Sequence, residues 1–151
     1  MSTDLNEIIK MLQKSYSMEL ETVMNYIANS INPDGVRAEE IKKSLAADIQ
    51  EEIQHAQELG KRIKQLGGRI PGAIEVELGG QKKPPIESTD VVSVIEAVIE
   101  AEQGACEQYN KIIRACDGSD FVTQDLCTRL LADEEEHLTL FRGFLKEYSN
   151  N

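Results

Sequence analysis

The sequence predicts an all-α four-helix bundle with one long crossover between its second and third helices. Three observations carry that prediction. Apolar residues recur at helical spacing through four stretches of roughly thirty residues each. Turn-forming residues separate these stretches. The chain also repeats a pattern upon itself: Glu19 precedes Tyr26 by seven residues and Glu52 by 33, while Glu102 precedes Tyr109 by seven and Glu134 by 32.

The first helix is expected from about Thr3 to Ile31, with Leu5, Ile8, Leu12, Tyr16, Val23 and Tyr26 on one stripe, and Asn32-Pro-Asp-Gly35 ends it. The second runs from about Val36 to Leu66, carries Ile41, Leu45, Leu59 and Ile63 in phase, and stops at Gly67-Gly68. A third begins after the capping cluster Ser88-Thr89-Asp90 and places Ile95, Val98, Ala105, Tyr109 and Ile112 on its inner face. The fourth follows Asp117-Gly-Ser-Asp120 and carries Leu126, Leu130, Phe141 and Leu145. Short joints make antiparallel hairpins of helices one and two and of helices three and four. Between Gly67 and Ser88, by contrast, lie 22 residues with five glycines, three prolines and an alternating run, Ile74-Glu-Val-Glu-Leu78. A helix of roughly thirty residues is about 45 Å long and 22 extended residues span about 70 Å, so this connection can travel the length of the bundle. Helices two and three are then parallel.

Composition bounds the rest. At 151 residues, residues 1–151 are expected to form one domain with a sizeable core. The net charge of -11 argues against a nucleic-acid surface. No apolar run approaches the roughly 20 residues of a membrane span, and the first residues have neither a basic arm nor a signal-peptide core, so a cytoplasmic protein is expected. Cys106, Cys116 and Cys127 are too few for a disulfide scaffold, and no two stand as Cys-x-x-Cys.

The chemistry is concentrated in the only two histidines, each the last residue of a Glu-x-x-His: Glu52-Ile-Gln-His55 and Glu134-Glu-Glu-His137. Glutamate fills 19 of the 151 positions, so both histidines acquiring one at that spacing by chance is roughly a one-in-sixty event. On a helix, residues three apart share a face, and a carboxylate oxygen and an imidazole nitrogen can reach one metal ion from the same rod. Glu19, Glu52, His55, Glu102, Glu134 and His137 each interrupt an apolar stripe, which marks them as inward-facing rather than surface charges and makes them candidate metal ligands. Glu51, Glu135 and Glu136 lie off the stripe and read as a solvated face. Tyr26 and Tyr109 share the face of Glu19 and Glu102, so each is either core packing or a hydrogen-bond donor to a ligand carboxylate. Cys106 and Cys127 flank the ligand level from antiparallel helices and are either inert core thiols or a redox-active pair.

This donor set of four glutamates and two histidines resembles that of the ferritin superfamily, and within it the bacterioferritins and the Dps-like thioferritins. The likeness covers about residues 3 to 148 and rests on Glu19 with Asn25-Tyr26, Glu52-Ile-Gln-His55, Glu102 and Asp133-Glu134-Glu-Glu-His137. It implies two iron ions per subunit, with manganese the alternative metal. Glu52 and Glu134 bridge them as the catalytic carboxylates, Glu19 with His55 completes one site, and Glu102 with His137 completes the other. The implied activity is that of a ferroxidase, oxidation of Fe(II) by hydrogen peroxide or oxygen, with storage of ferric mineral inside a homo-oligomeric cage. Bacterioferritins hold haem through a methionine directly after the second helix's ligand glutamate. Ile53 stands there instead, and no haem is expected. Only 14 residues follow His137, too few for the short fifth helix of bacterioferritins, so a cage of twelve subunits is expected over one of twenty-four. The rival readings are a non-storage dimetal enzyme, of the rubrerythrin or manganese-catalase kind, and a non-catalytic helical module.

Overall fold

The computed structural model describes residues 3–149. Four long helices, α1 (Leu5–Ile31), α2 (Glu39–Gln65), α3 (Val91–Cys116) and α4 (Phe121–Tyr148), are joined in order by a segment carrying a 3-10 turn at Val36–Ala38, by the crossover that follows α2, and by a short turn at 117–120. Aspartates set three of the four starts. Asp4 accepts from Asn6 N, Asp90 from Ser93 N and Asp120 from Thr123 N, each satisfying one of the amide donors that a helix leaves open at its first turn. Hence α1 begins at Leu5 rather than Thr3. The Val36 start expected for the second helix belongs to the 3-10 turn, and α2 proper follows it without a side-chain cap.

At the other end of α2 the backbone turns at Gly67, whose φ of +90° suits glycine, and Gly68 N closes the helix by donating to Ile63 O at 2.9 Å. A side chain at Gly68 is excluded for a separate reason: a Cβ there would stand 2.8 Å from Ile9 Cγ2 and 2.9 Å from Ile63 Cγ2.

From this point the crossover runs alongside α1. Gln13 Nε2 donates to Arg69 O at 2.7 Å, the amides of Gly79 and Gly80 donate to the Glu21 carboxylate, Gln81 meets Thr22 and Asn25, and Asp34 N donates to Ser88 O. The partners advance together along α1 and along the crossover, so the connection is parallel to α1 and delivers α3 to the end where α1 finished. Helices α2 and α3 are therefore parallel, α1 is antiparallel to α3, and α2 is antiparallel to α4. Glu21, buried under this strap, lies off the ligand stripe and was not singled out by periodicity. The alternating run at Ile74 forms no strand among the described residues; Ile74 is 99% exposed and no second extended segment lies beside it.

Inside the bundle the apolar core is split in two. One cluster gathers Ile8, Leu12, Leu59, Ile63, Ile112, Leu126 and Leu130; the other gathers Ile41, Leu45, Val94, Ile95, Val98 and Phe141. Between them lies a layer of buried acids and imidazoles. Among the described residues, no helix is long and apolar enough to cross a membrane.

The start of α4 is also the point where α2 is tied to it. Arg62 donates through Nη2 to Asp120 Oδ1 at 2.9 Å and through Nε to Thr123 Oγ1 at 2.9 Å. Burial alone would raise the Asp120 carboxyl, but hydrogen bonds from Thr123 and the adjacent guanidinium outweigh it and hold the group below its ordinary 3.8. Asp120→Ala should lower stability by about 1–2 kcal/mol at neutral pH, read from urea denaturation midpoints. Because the folded-state pKa is depressed, the charge-linked part of that difference is complete above the unfolded value and disappears as pH falls through the folded one. A gap between wild type and variant that widens on acidification would contradict this account.

Candidate metal centre

The ligand layer draws one glutamate from each helix and one histidine from each of α2 and α4. Glu19 (α1), Glu52 and His55 (α2), Glu102 (α3), and Glu134 and His137 (α4) are all buried, His137 being the most accessible at 6%. Their positions follow from the periodicity: each replaces an apolar residue on the inner stripe, so packing of the two apolar clusters carries the acids inward with it.

Two overlapping donor groups result. Glu19, Glu52, His55 and Glu134 form one, and Glu52, Glu102, Glu134 and His137 form the other, with donor atoms within 4.8 Å of one another in each. Glu52 and Glu134 are common to both. His55 Nδ1 stands 2.8 Å from Glu134 Oε1, and His137 Nδ1 stands 3.2 Å from Glu52 Oε1.

Whether these residues suit divalent cations can be asked of their polar atoms. Glu19 Oε2, both Glu52 oxygens, Glu102 Oε2, Glu134 Oε1 and both histidine Nδ1 atoms are buried with no hydrogen-bond partner of acceptable geometry. Buried polar atoms in a native core are nearly always satisfied. Seven unsatisfied atoms converging on one layer, all of them oxygen or imidazole nitrogen, fit cations of the iron, manganese or zinc type. Four carboxylates also balance the charge of two such ions.

The titration of the layer shows the strain that cations would relieve. Burial, then the neighbouring Glu19, pushes Glu52 well above the ordinary glutamate range, and burial with Glu19 and Glu102 does the same to Glu134. Glu19 itself is lowered: burial opposes its charge, but the proximity of Glu52 and His55 outweighs burial. Burial also works against a charged His55, yet Glu19, Glu52 and Asp133 raise its pKa to about 9, and His137 is raised further by Glu102, Glu134 and Glu52. Burial and the neighbouring acids thus favour the protonated form of the two shared carboxylates, and the same acids favour the charged form of both rings.

The outer shell holds a pattern that sequence reasoning missed. His55 Nε2 pairs with Asp133 Oδ2 at 2.9 Å, and His137 Nε2 pairs with Glu51 Oε2 at 2.8 Å. Each ring donates outward to a carboxylate, which leaves Nδ1 as the metal-facing atom and orients the imidazole. Glu51 is thus not merely part of a solvated face, as its place off the stripe suggested; it reaches sideways from α2 to α4. A signal was available, since an acid directly precedes the ligand glutamate in both halves, Glu51-Glu52 and Asp133-Glu134. Glu136 is exposed, in keeping with its expected place on a solvated face.

The tyrosines exchange partners between halves. Tyr109 donates to Glu19 Oε1 at 2.6 Å and Tyr26 donates to Glu102 Oε1. Each shares a stripe with its own half's glutamate, but the antiparallel packing of α1 on α3 brings it level with the other half's. Burial, reinforced by these carboxylates, raises both phenols well above 10, so they remain neutral donors.

All three cysteines are free thiols in the structure, which leaves both expectations for Cys106 and Cys127, inert core thiols or a redox-active pair, as they stood. Cys127 lies in the lower apolar cluster with Cys116, the thiol that acts on it, whereas Cys106 is half-buried and faces Glu134, Glu102 and Glu135. Cys106 follows Glu102 by four residues, about 40° past it around the helix, and Ala105 takes the inner position instead. Burial pushes both thiols up to about 12, so the reactive thiolate is scarce.

Comparisons with known proteins agree with this geometry. Residues 9–150 match the Ferritin-like domain family. A bacterioferritin of Desulfovibrio desulfuricans is 27% identical over 146 residues, covering 95% of this chain and 77% of the relative. A DNA protection during starvation protein of Pyrococcus furiosus is 27% identical over 145 residues, covering 94% and 78%. Among solved structures, a dodecameric thioferritin of Bacteroides fragilis superposes with a TM-score of 0.86 at 22% identity, over 99% of this chain and 90% of its own.

Two measurements test the site. Glu51→Gln and Asp133→Asn should each weaken Co(II) binding, titrated without oxidant, by about 10–100-fold, while Glu136→Gln leaves it unchanged. In the wild type a metal ion competes with protons for Glu52, Glu134, His55 and His137, whose pKa values are all raised, so affinity should rise with pH. Calorimetry in buffers of different ionisation enthalpy counts the protons released; a count of zero would contradict the layer described above.

Proposed function

Because the chain belongs to the ferritin-like family, we propose that it is a ferroxidase that detoxifies and stores iron, taking Fe(II) as substrate at two adjoining positions. The observation that carries this reading is the overlap of the two donor groups at Glu52 and Glu134. In this assignment those carboxylates serve both positions, Glu19 with His55 completes one, and Glu102 with His137 completes the other. Two iron ions at such spacing supply the two electrons that a peroxide needs: two Fe(II) are oxidised to Fe(III) while one hydrogen peroxide and two protons become two waters. Iron is favoured over manganese on the likeness to the bacterioferritins.

The chain's own residues do three things in this reaction. Four carboxylates neutralise the charge of the incoming ions, which is the electrostatic requirement for holding them in a buried layer. Glu51 and Asp133 fix the imidazoles so that Nδ1 is presented on arrival, and Tyr26 and Tyr109 hold Glu102 and Glu19 in place from the opposite helix. The apolar clusters above and below exclude bulk solvent and direct exchange sideways, between helices.

The dodecameric assembly of the structurally similar thioferritin supports a shell of twelve copies, with ferric mineral inside. Purified protein should bind two Fe(II) per chain and oxidise them rapidly. Glu52→Ala and Glu134→Ala should each slow oxidation by more than about 100-fold, whereas Glu136→Ala should not. Equal rates in all three variants would remove the assignment. Sedimentation velocity then separates a storage cage from the non-storage dimetal enzymes: a sedimenting species of twelve subunits is expected, and a monomer or dimer at micromolar concentration would favour the latter.

A further inference from the structure

Above the ligand layer, α1, α3 and the crossover enclose a cavity of about 10 Å³ lined by Tyr26, Asn29, Gln81, Ala97 and Val98. That is close to the space of a single water molecule. Asn29 stands one turn beyond Tyr26 on the same face of α1 and is only 3% exposed, yet its Oδ1 has no hydrogen-bond partner. The other amides nearby are already engaged. Gln81 Oε1 accepts from Asn25 Nδ2 at 2.8 Å, and Gln81 Nε2 donates to Thr22 Oγ1 at 2.8 Å. The orphaned carbonyl is therefore the open acceptor of a rigid polar rim, and the second lone pair of Gln81 Oε1 supplies another.

This cavity is not sealed. A larger cleft of about 410 Å³, between α1, α3 and the crossover, shares Gln81, Lys82, Ala97 and Ala101 with it. The cleft therefore adjoins the cavity across these shared walls, and Tyr26, which lines the cavity, donates through its hydroxyl to Glu102.

We propose that the cavity is a built water site at the inner end of a solvent channel, that Asn29 is the positioning residue holding its last water, and that the channel exchanges water between the surface and the Tyr26–Glu102 end of the ligand layer. The channel's role rests on the ferroxidase reading, since peroxide reduction yields two waters inside a layer closed above and below by apolar side chains. The water site itself stands on the cavity and the orphaned carbonyl alone.

A high-resolution crystal structure of the metal-free protein tests the site, and two variants test the role. Asn29→Leu removes the acceptor, and Ala97→Leu plugs the neck from α3 without touching a polar group, so that misfolding of one leaves the other informative. The wild type should show a water within hydrogen-bond distance of Asn29 Oδ1 that both variants lack. Both should bind two Co(II) with unchanged affinity while oxidising Fe(II) with peroxide about tenfold more slowly. Absence of the water in the wild type overturns the site, and full-speed oxidation in both variants overturns the channel. A wild type that binds Co(II) but oxidises no Fe(II) overturns the ferroxidase reading and the channel's role with it, while the crystal structure still decides the water site.

Discussion

Four carboxylates buried in one layer are the constraint from which most of this structure follows. Isolated charges at such a depth are far too costly to tolerate, so every nearby group is arranged to compensate them. Without metal the compensation is protonic in direction: burial and mutual repulsion raise Glu52 and Glu134, and the surrounding acids raise both histidines. With two divalent ions the same four negative charges are balanced directly. The layer also divides the apolar core in two, because no aliphatic side chain can occupy the level of the acids. Stability then comes from the two flanking clusters, and the layer between them is free to be chosen for its chemistry.

Much of this was legible in the sequence because helical periodicity reports burial. A glutamate on an apolar stripe is conspicuous, and six such interruptions at repeated spacing pointed to one site. Groups that act from the edge of a stripe were harder to read. Glu51 and Asp133 sit off the inner face by periodicity, yet their side chains reach across to the outer nitrogens of His137 and His55. Glu21 was invisible for a different reason: its partners are backbone amides of Gly79 and Gly80, which carry no side-chain signal at all. The cysteines mark the limit of axial reasoning. Spacing along two helices says how near Cys106 and Cys127 lie to the ligand level, but rotation around each helix axis decides which thiol is buried, and here Cys127 is buried while Cys106 is only partly so.

The crossover is more than a connection of sufficient length. Its contacts with Gln13, Glu21, Thr22, Asn25 and Asp34 fix it along α1 over most of that helix. These contacts are hydrogen bonds, so the segment is held in register by direction-specific bonds. That is compatible with its exposed Ile74 and Ile86, which take no part in holding it.

The exchange of tyrosine partners between α1 and α3 bears on how the chain folds. Each hairpin can form from local contacts, but alone it lines up glutamates whose hydrogen-bond donors lie in the other hairpin. The two halves become electrostatically tolerable only as they meet. Docking of the hairpins thus brings each of these glutamates its hydrogen-bond donor, so that contacts far apart in sequence complete the layer.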